Sequence, residues 1–381
     1  MMRRNRATGR RRASVLAAAL LVLASVTAGT AHASPAAPVD LVPLPGDEET
    51  LALAVNEAGT AVGTSSAGRD PRLDHPIRWD AAGHPTALPT PGGTQGQARD
   101  INRFGVAAGY VLTATDAIPA RWDAAGHATL MQLPAGYRDA MGEKISDTGV
   151  VVGEWLAPGD LEHPFRWDPD GRVTDLGTLP GDTWCIATGI SADGTIVSGM
   201  DTNPVKAHSV RWVNGGPITD LAPAAWSSAN NLMNKDGTIA GHLTDAQNGP
   251  AKPVTWDRDG VLRRLEWDSP HPVWLEGISS TGYLTGTGYL YPPDRDSVTW
   301  DQDGVLTLVD GTVAGVDANG TVVGTSHGRA TAWYQSGESV QFGVLPGGTY
   351  SGATLITDSG HLVGSSDTIG GKTHAVSWKL G

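Results

Sequence analysis

The residues of this chain that could do chemistry fall into three sets: carboxylates in tight turns, histidines at a fixed spacing, and one cysteine. The turns Asp168-Pro-Asp-Gly171, Asp257-Arg-Asp-Gly260 and Asp301-Gln-Asp-Gly304 pair two carboxylates with a glycine, as calcium loops do. Calcium, however, wants about six to eight oxygen ligands, and no glutamate follows these turns at a fixed distance. Aspartate and glycine also favour turns for backbone reasons, so the spacing predicts hairpins and no metal. His75, His163, His208 and His374 each precede a tryptophan by four residues. Such equivalent positions converge only if they face a common axis, which predicts a structural hydrogen bond. Cys185 is the single cysteine, which rules out a disulfide within the chain and gives no nucleophile motif. Neither Gly-x-Ser-x-Gly nor His-Glu-x-x-His occurs, and nothing calls for a cofactor.

Acids and aromatics in the connecting segments are the better candidates. A hydrolase acting on extracellular polysaccharide needs two carboxylates roughly 5 to 9.5 Å apart, and Asp160, Glu162, Asp182, Glu276 and Asp294 are available for that role. Trp184, Trp226, Trp274, Tyr137 and Tyr350 fall in the connection between successive repeats. Aromatic rings on a concave face edged by carboxylates suit a sugar or a protein anchor. They could equally plug the mouth of a channel. The sequence therefore favours a non-catalytic binding module whose contact surface is this loop face, with a polysaccharide enzyme or a structural cell-surface component as alternatives.

These residues hang on a repeat of about 43 residues that occupies the chain from end to end. Its first landmark is a polar turn closed by glycine: Asn56 to Gly59, Asn102 to Gly105, Ser146 to Gly149, Ser191 to Gly194, Asn234 to Gly237, Ser279 to Gly282, Asp317 to Gly320 and Thr357 to Gly360. Four residues later comes a second glycine (Gly63, Gly109, Gly153, Gly241, Gly286, Gly324, Gly364), except in the fourth unit, where Ser198 precedes Gly199. A close backbone approach is what such a glycine in a strand implies. The third landmark is Trp79, Trp122, Trp167, Trp212, Trp256, Trp300, Trp333 or Trp378. It follows a polar residue, often arginine, and an apolar one, which is the alternation of a half-buried strand.

Each tryptophan leads into a second tight turn and another alternating run, so every unit reads as four short antiparallel strands. That is the blade of a β-propeller. The expected fold is all-β, an eight-bladed propeller, with seven blades as the alternative because the seventh unit is short. The lone strand within Asp40-Leu-Val-Pro-Leu44 is expected to complete the last blade, which has no fourth strand of its own. Tryptophans shared by every unit are expected to pack blade against blade.

His163-Pro-Phe-Arg-Trp167 with Asp175-Leu-Gly-Thr-Leu-Pro-Gly181, and His374-Ala-Val-Ser-Trp378, carry a resemblance to the bacterial extracellular HAF repeat. The resemblance covers the whole chain after residue 33, although only four units keep the histidine. It implies an extracellular location and a propeller-like repeat fold. It brings no established activity, so no catalytic residue is carried over.

The first 33 residues combine six arginines, the apolar run Ala13 to Ala28, and Ala31-His32-Ala33. They read as a secretory signal peptide cleaved after Ala33, with residues 34–38 a short linker and residues 39–381 one domain. Without the leader, 21 Lys and Arg face 40 Asp and Glu, a net charge of −19 against −13 for the whole chain. Nucleic acid and anionic membrane surfaces are poor partners for such a charge. The expectation is a secreted monomer that meets an extracellular carbohydrate or protein.

Overall fold

The computed structural model describes residues 37–68, 74–290 and 296–381; the signal-peptide reading and Asp294 lie outside them. The described residues form 32 short strands and no helix. They make six four-stranded sheets and one of eight strands. The larger sheet is the third and fourth sequence units, each a four-strand array, joined by a single parallel pairing of Glu162 with Trp184. The seventh unit, despite its short connection, keeps all four strands: Thr312–Val316, Val322–Ser326, Arg329–Trp333 and Ser339–Gln341.

The last unit takes its fourth strand from the start of the domain. Val39, Asp40 and Leu41 pair antiparallel with Ser377, Val376 and Ala375. His374 holds this strand through a 2.9 Å hydrogen bond to Asp40. The same bond recurs inside single units, between His163 and Asp175 at 3.0 Å and between His208 and Asp220 at 2.9 Å. His75 instead meets Asp47, also at 2.9 Å. The repeated histidine therefore pins a fourth strand or the connection after it, a structural duty.

Hydrogen bonds link the eight polar turns in succession. Asn56 closes its own turn by accepting from Ala58 N and Thr60 N, then donates to the Asn102 carbonyl at 3.2 Å. Asn102 donates likewise to Ser146 O, and Asp147 N to Ala192 O. The series continues through Ala192 N to Lys235 O, Asn234 to Ser279 O, Thr281 to Ala318 O, and Ala318 N to Asp358. Ser359 then donates to Glu57 O at 2.8 Å, which links the eighth turn to the first.

Side chains of the third strand join neighbouring units. Seven of the eight repeated tryptophans are buried, and Trp333 is half-buried. Trp122 donates from Nε1 to Pro89 O at 2.8 Å, and Trp79, Trp212, Trp256 and Trp300 reach back in the same way to Val42, Leu176, Leu221 and Glu266. Each thus fills the space behind the preceding fourth strand, and replacing one by alanine would cost about 3–5 kcal/mol. The arginine before the tryptophan reaches the other way. Arg78, Arg121 and Arg166 donate to the turn carbonyls of Gly105, Gly149 and Gly194 in the next unit.

A β-bulge sits at one place in every unit. The pairing of first and second strands steps over one residue opposite the repeat glycine: Leu53, Arg99, Glu143, Thr188, Asn231, Glu276, Ala314 and Thr354. The glycine is required there by space. A Cβ on Gly153 would stand 1.9 Å from Met141 O, and one on Gly109 1.9 Å from Gln97 O. In the fourth unit Gly199, not Ser198, pairs with Ala187 beside the bulge. Its turn is one residue longer, because Ser191 N bonds Ile196 O where Asn56 N bonds Thr60 O.

Candidate functional site

A bulge frees one residue from the ladder and re-aims its side chain. In this molecule the freed residues of the second and third units are Arg99 and Glu143, which meet across the two sheets at 2.9 Å. The residue directly after the repeat glycine completes the same region from the second strand: Tyr110, Glu154, Met200 and His242 in units two to five. Arg99 lies over the Tyr110 ring, 5.3 Å from its centroid. In the sixth unit the equivalent two residues bond each other, Thr287 Oγ1 donating to Glu276 Oε1 at 3.0 Å.

These positions enclose a pocket of about 580 Å³ between the first strands of units two to six. Its wall is divided. Arg99, Glu143, Lys144 and Glu154 make one sector charged, while Ile186, Met200, Ala229 and Trp274 make the facing sector apolar, with His242 among them. Trp274, at the start of its strand, is 43% exposed and meets Tyr289 edge-on with ring centres 6.3 Å apart.

Burial governs the charge state of the polar sector. Glu154 is pushed up to about 7 by loss of water, and the nearby Glu143 and Glu162 carboxylates add to the rise. Glu143 is also raised by burial, with Arg99 opposing. His242 is lowered by burial, with a backbone hydrogen bond to Val273 opposing, which favours its neutral imidazole. Three buried polar atoms of this lining, Arg99 Nε, Glu143 Oε1 and His242 Nε2, have no hydrogen-bond partner among the described protein groups. Near neutral pH the pocket therefore combines the Arg99–Glu143 pair with a Glu154 carboxyl that can either donate or accept a proton.

The residues proposed from sequence are spread along the loop end. Trp274 lines the pocket. Trp184 is half-buried and donates from Nε1 to Glu162 Oε2 at 2.7 Å. Tyr137 packs against Trp155 with ring centres 4.2 Å apart and donates its hydroxyl to Asp175 at 2.8 Å. Trp226 is half-buried, and Tyr350 is 47% exposed beside Asp367, whose carboxylate accepts from its backbone N at 2.7 Å. The four described acids have separate partners: Asp160 takes Arg138, Glu162 takes Trp184, Asp182 sits against Asp201, and Glu276 takes Thr287. Asp201 is raised to about 7 by burial and by sharing a proton with Asp182, which is correspondingly lowered. Cys185 is fully buried, and its thiol is held far above the usual range by loss of water and then by Asp201.

Sequence reasoning passed over Arg99, Glu143, Glu154 and His242. The second strands of their units run through Glu154 and His242. The signal was present in the repeat: the residue after the constant glycine is Thr64, Tyr110, Glu154, Met200, His242, Thr287, Thr325 or Ser365, varied beside an invariant neighbour. Among the described residues no group of three or more His, Cys, Asp or Glu is placed to hold a metal ion. The Asp turns hold their own backbone, Asp257 and Asp301 each accepting from the amide four residues on at 2.8 Å.

No family model matches this chain, and no curated protein matches it either. Solved structures do. The chain is similar to dipeptidyl peptidase 4 of Porphyromonas gingivalis at 12% identity, covering 87% of this chain and 60% of that one, with a TM-score of 0.54. A prolyl endopeptidase matches at 12% identity, with 90% and 51% covered and a TM-score of 0.51. A puromycin hydrolase matches at 14% identity, with 91% and 61% covered and a TM-score of 0.51. The chain spans only about half to three-fifths of those enzymes. At such identities the likeness concerns the fold alone, and these are β-propeller proteins: the chain has a β-propeller architecture of repeated four-stranded antiparallel sheets.

Proposed function

We propose that this chain is a secreted eight-bladed propeller, closed by its own N-terminal strand, that serves as a binding module for an extracellular carbohydrate or protein. Three observations support a closed ring of eight. The eight turns bond in succession and the eighth bonds the first. Strand 39–41 completes the last sheet. Lys235 of the fifth unit approaches Glu57 of the first at 3.4 Å, as opposite blades of an eightfold ring would across its axis. The signal-like leader and the HAF-repeat resemblance support the extracellular reading.

The divided pocket at the loop end carries the functional proposal. Its apolar sector, where Trp274 supplies the aromatic ring, gives a sugar ring or an apolar side chain a stacking surface, and the charged sector opposite gives hydroxyls or backbone groups fixed partners. Trp184, Trp226, Tyr137 and Tyr350 lie around the same end and would extend the contact. The test is a glycan and peptide array probed with the natural chain and with Trp274→Ala. Binding weakened about tenfold or more at unchanged melting temperature is expected from losing one stacking ring. Equal affinity of the two proteins for every captured ligand would refute this placement of the site.

One observation favours hydrolysis as a second reading: Glu143 and Glu154 share the pocket, and Glu154 keeps its proton up to about pH 7, as a general acid must. A polysaccharide hydrolase screen with Glu154→Gln as the control decides it. Activity that survives the substitution, or none at all, removes the reading.

A further inference from the structure

Four junctions between successive units are bridged by an arginine from the third strand. Arg78, Arg121 and Arg166 donate to the turn glycine of the next unit, and Arg211 donates to the carbonyls of Arg258 and Asp259. At the second junction the guanidinium also stacks on the next tryptophan, with Arg121 Cζ 3.9 Å from the centre of the Trp167 ring. The fifth unit has Thr255 at this position, yet Arg263 on the paired strand reaches across to Gln302 O at 2.6 Å. His361 packs over Gly59 where the eighth unit meets the first, Tyr283 packs over Gly320 where the sixth meets the seventh, and Leu380 packs over Gly360 in the last turn.

The last three junctions carry no arginine at these positions, with Ala332 facing Val340 after the seventh unit and Ser377 facing Val39 after the eighth, and the first of the three, between units six and seven, is lined as a cleft. The arginine position is Thr299, and its partner on the fourth strand is Thr307, so neither strand supplies a guanidinium. Thr299, Gly320 and Trp333 are the counterparts of Arg121, Gly149 and Trp167, and all three line one cleft of about 500 Å³. Asp310 and Glu338 border it. Trp333 is half-buried where the other seven repeated tryptophans are buried. Gly320 O accepts a 2.7 Å hydrogen bond from Gln335, and a carbonyl can accept two.

We propose that this cleft binds the guanidinium group of an arginine presented by a partner protein. The molecule itself supplies the precedent, since the equivalent indole and carbonyl hold Arg121 one junction after another arginine bridge of the same kind. The cleft adds two carboxylates, in a chain whose net charge of −13 attracts cationic partners. Arginine is favoured over lysine because a planar group can stack on Trp333 while it donates sideways. This site stands apart from the loop-end pocket, and its fate does not depend on the function proposed there.

The test uses two capped tripeptides, acetyl-Gly-Arg-Gly-amide and acetyl-Gly-Lys-Gly-amide, titrated by calorimetry into the whole protein and its variants. The arginine peptide is expected to bind about tenfold tighter than the lysine peptide. Thr299→Arg, which supplies the guanidinium from within, is expected to abolish that binding, and Trp333→Leu to weaken it. Equal affinity for the two peptides, no binding of the arginine peptide, or full binding by a folded Thr299→Arg protein would overturn the proposal. Should Thr299→Arg fail to fold, Trp333→Leu and Glu338→Gln carry the same decision, and arginine binding unchanged in both overturns it.

Discussion

Gly153 and Glu154 are neighbours in the chain and belong to two regions that follow opposite rules. The glycine is part of the scaffold: every unit places one beside the bulge, and in seven of them a Cβ would meet a carbonyl of the first strand. The glutamate is part of the pocket wall, where successive units carry Tyr110, Glu154, Met200 and His242. At the turn end every unit makes nearly the same bond to the next, whereas at the loop end each contributes a different side chain. A propeller separates these duties because the strand that packs blade on blade also carries, one residue further on, a side chain released from packing.

The contrast can be broken most sharply at the glycine. Gly153→Ala forces a Cβ to within 1.9 Å of Met141 O, so the first two strands of that unit must part. A loss of roughly 3 kcal/mol or more is expected, measured by denaturant unfolding. A change below about 1 kcal/mol would mean that the bulge yields easily and is no fixed feature of the scaffold.

One position along, the effect should reverse sign and depend on pH. The Glu154 carboxyl titrates near 7 in the folded chain against an ordinary 4.5, so the folded state holds the proton more tightly. Its contribution is complete below pH 4.5 and is lost as pH rises through 7. Glu154→Gln should therefore stabilise the protein by about 2 kcal/mol at pH 8 and leave it nearly unchanged at pH 4. Thermal melts of the two proteins across that range provide the check, and parallel curves would contradict the burial argument.

The smallest effect is expected at the strand from the N-terminus. His374 is raised above its ordinary 6.5 by its hydrogen bond to Asp40, with burial opposing. Stability from this pair is full below pH 6.5 and falls away as pH passes the raised value. Asp40→Asn should cost less than about 1 kcal/mol at pH 5.5 and almost nothing at pH 9, because the pair is partly open to solvent. Hydrogen exchange of strand 39–41 would register the loss locally. Equal exchange in both proteins at pH 5.5 would show that backbone pairing alone holds the strand.

Much of this fold was legible in the repeat. Turn glycines, alternating strands and the tryptophan spacing each follow from local backbone and burial rules, and they recur often enough to outvote exceptions. The pocket was not legible in the same way. Trp274 stood out as an aromatic beyond the repeat, but Arg99 and Glu143 resemble ordinary strand residues until the bulge is seen. Glu154 and His242 were hidden because a strand and a variable loop look alike where hydrophobic alternation fades.

What the sequence determined by itself is the unit: four strands, the residues that bury, and the glycine that must stay small. Those are decided within about 43 residues by sterics and by the preference of apolar groups for one face. Only the tertiary structure decided which units meet, and so what stands opposite what. It paired Arg99 with Glu143 across two sheets and left Thr299 facing Thr307 where the first five junctions hold an arginine. It also brought the charged wall of units two and three against the largely apolar wall of units four to six. Such meetings depend on how many sheets pack against one another, a property that no single repeat encodes.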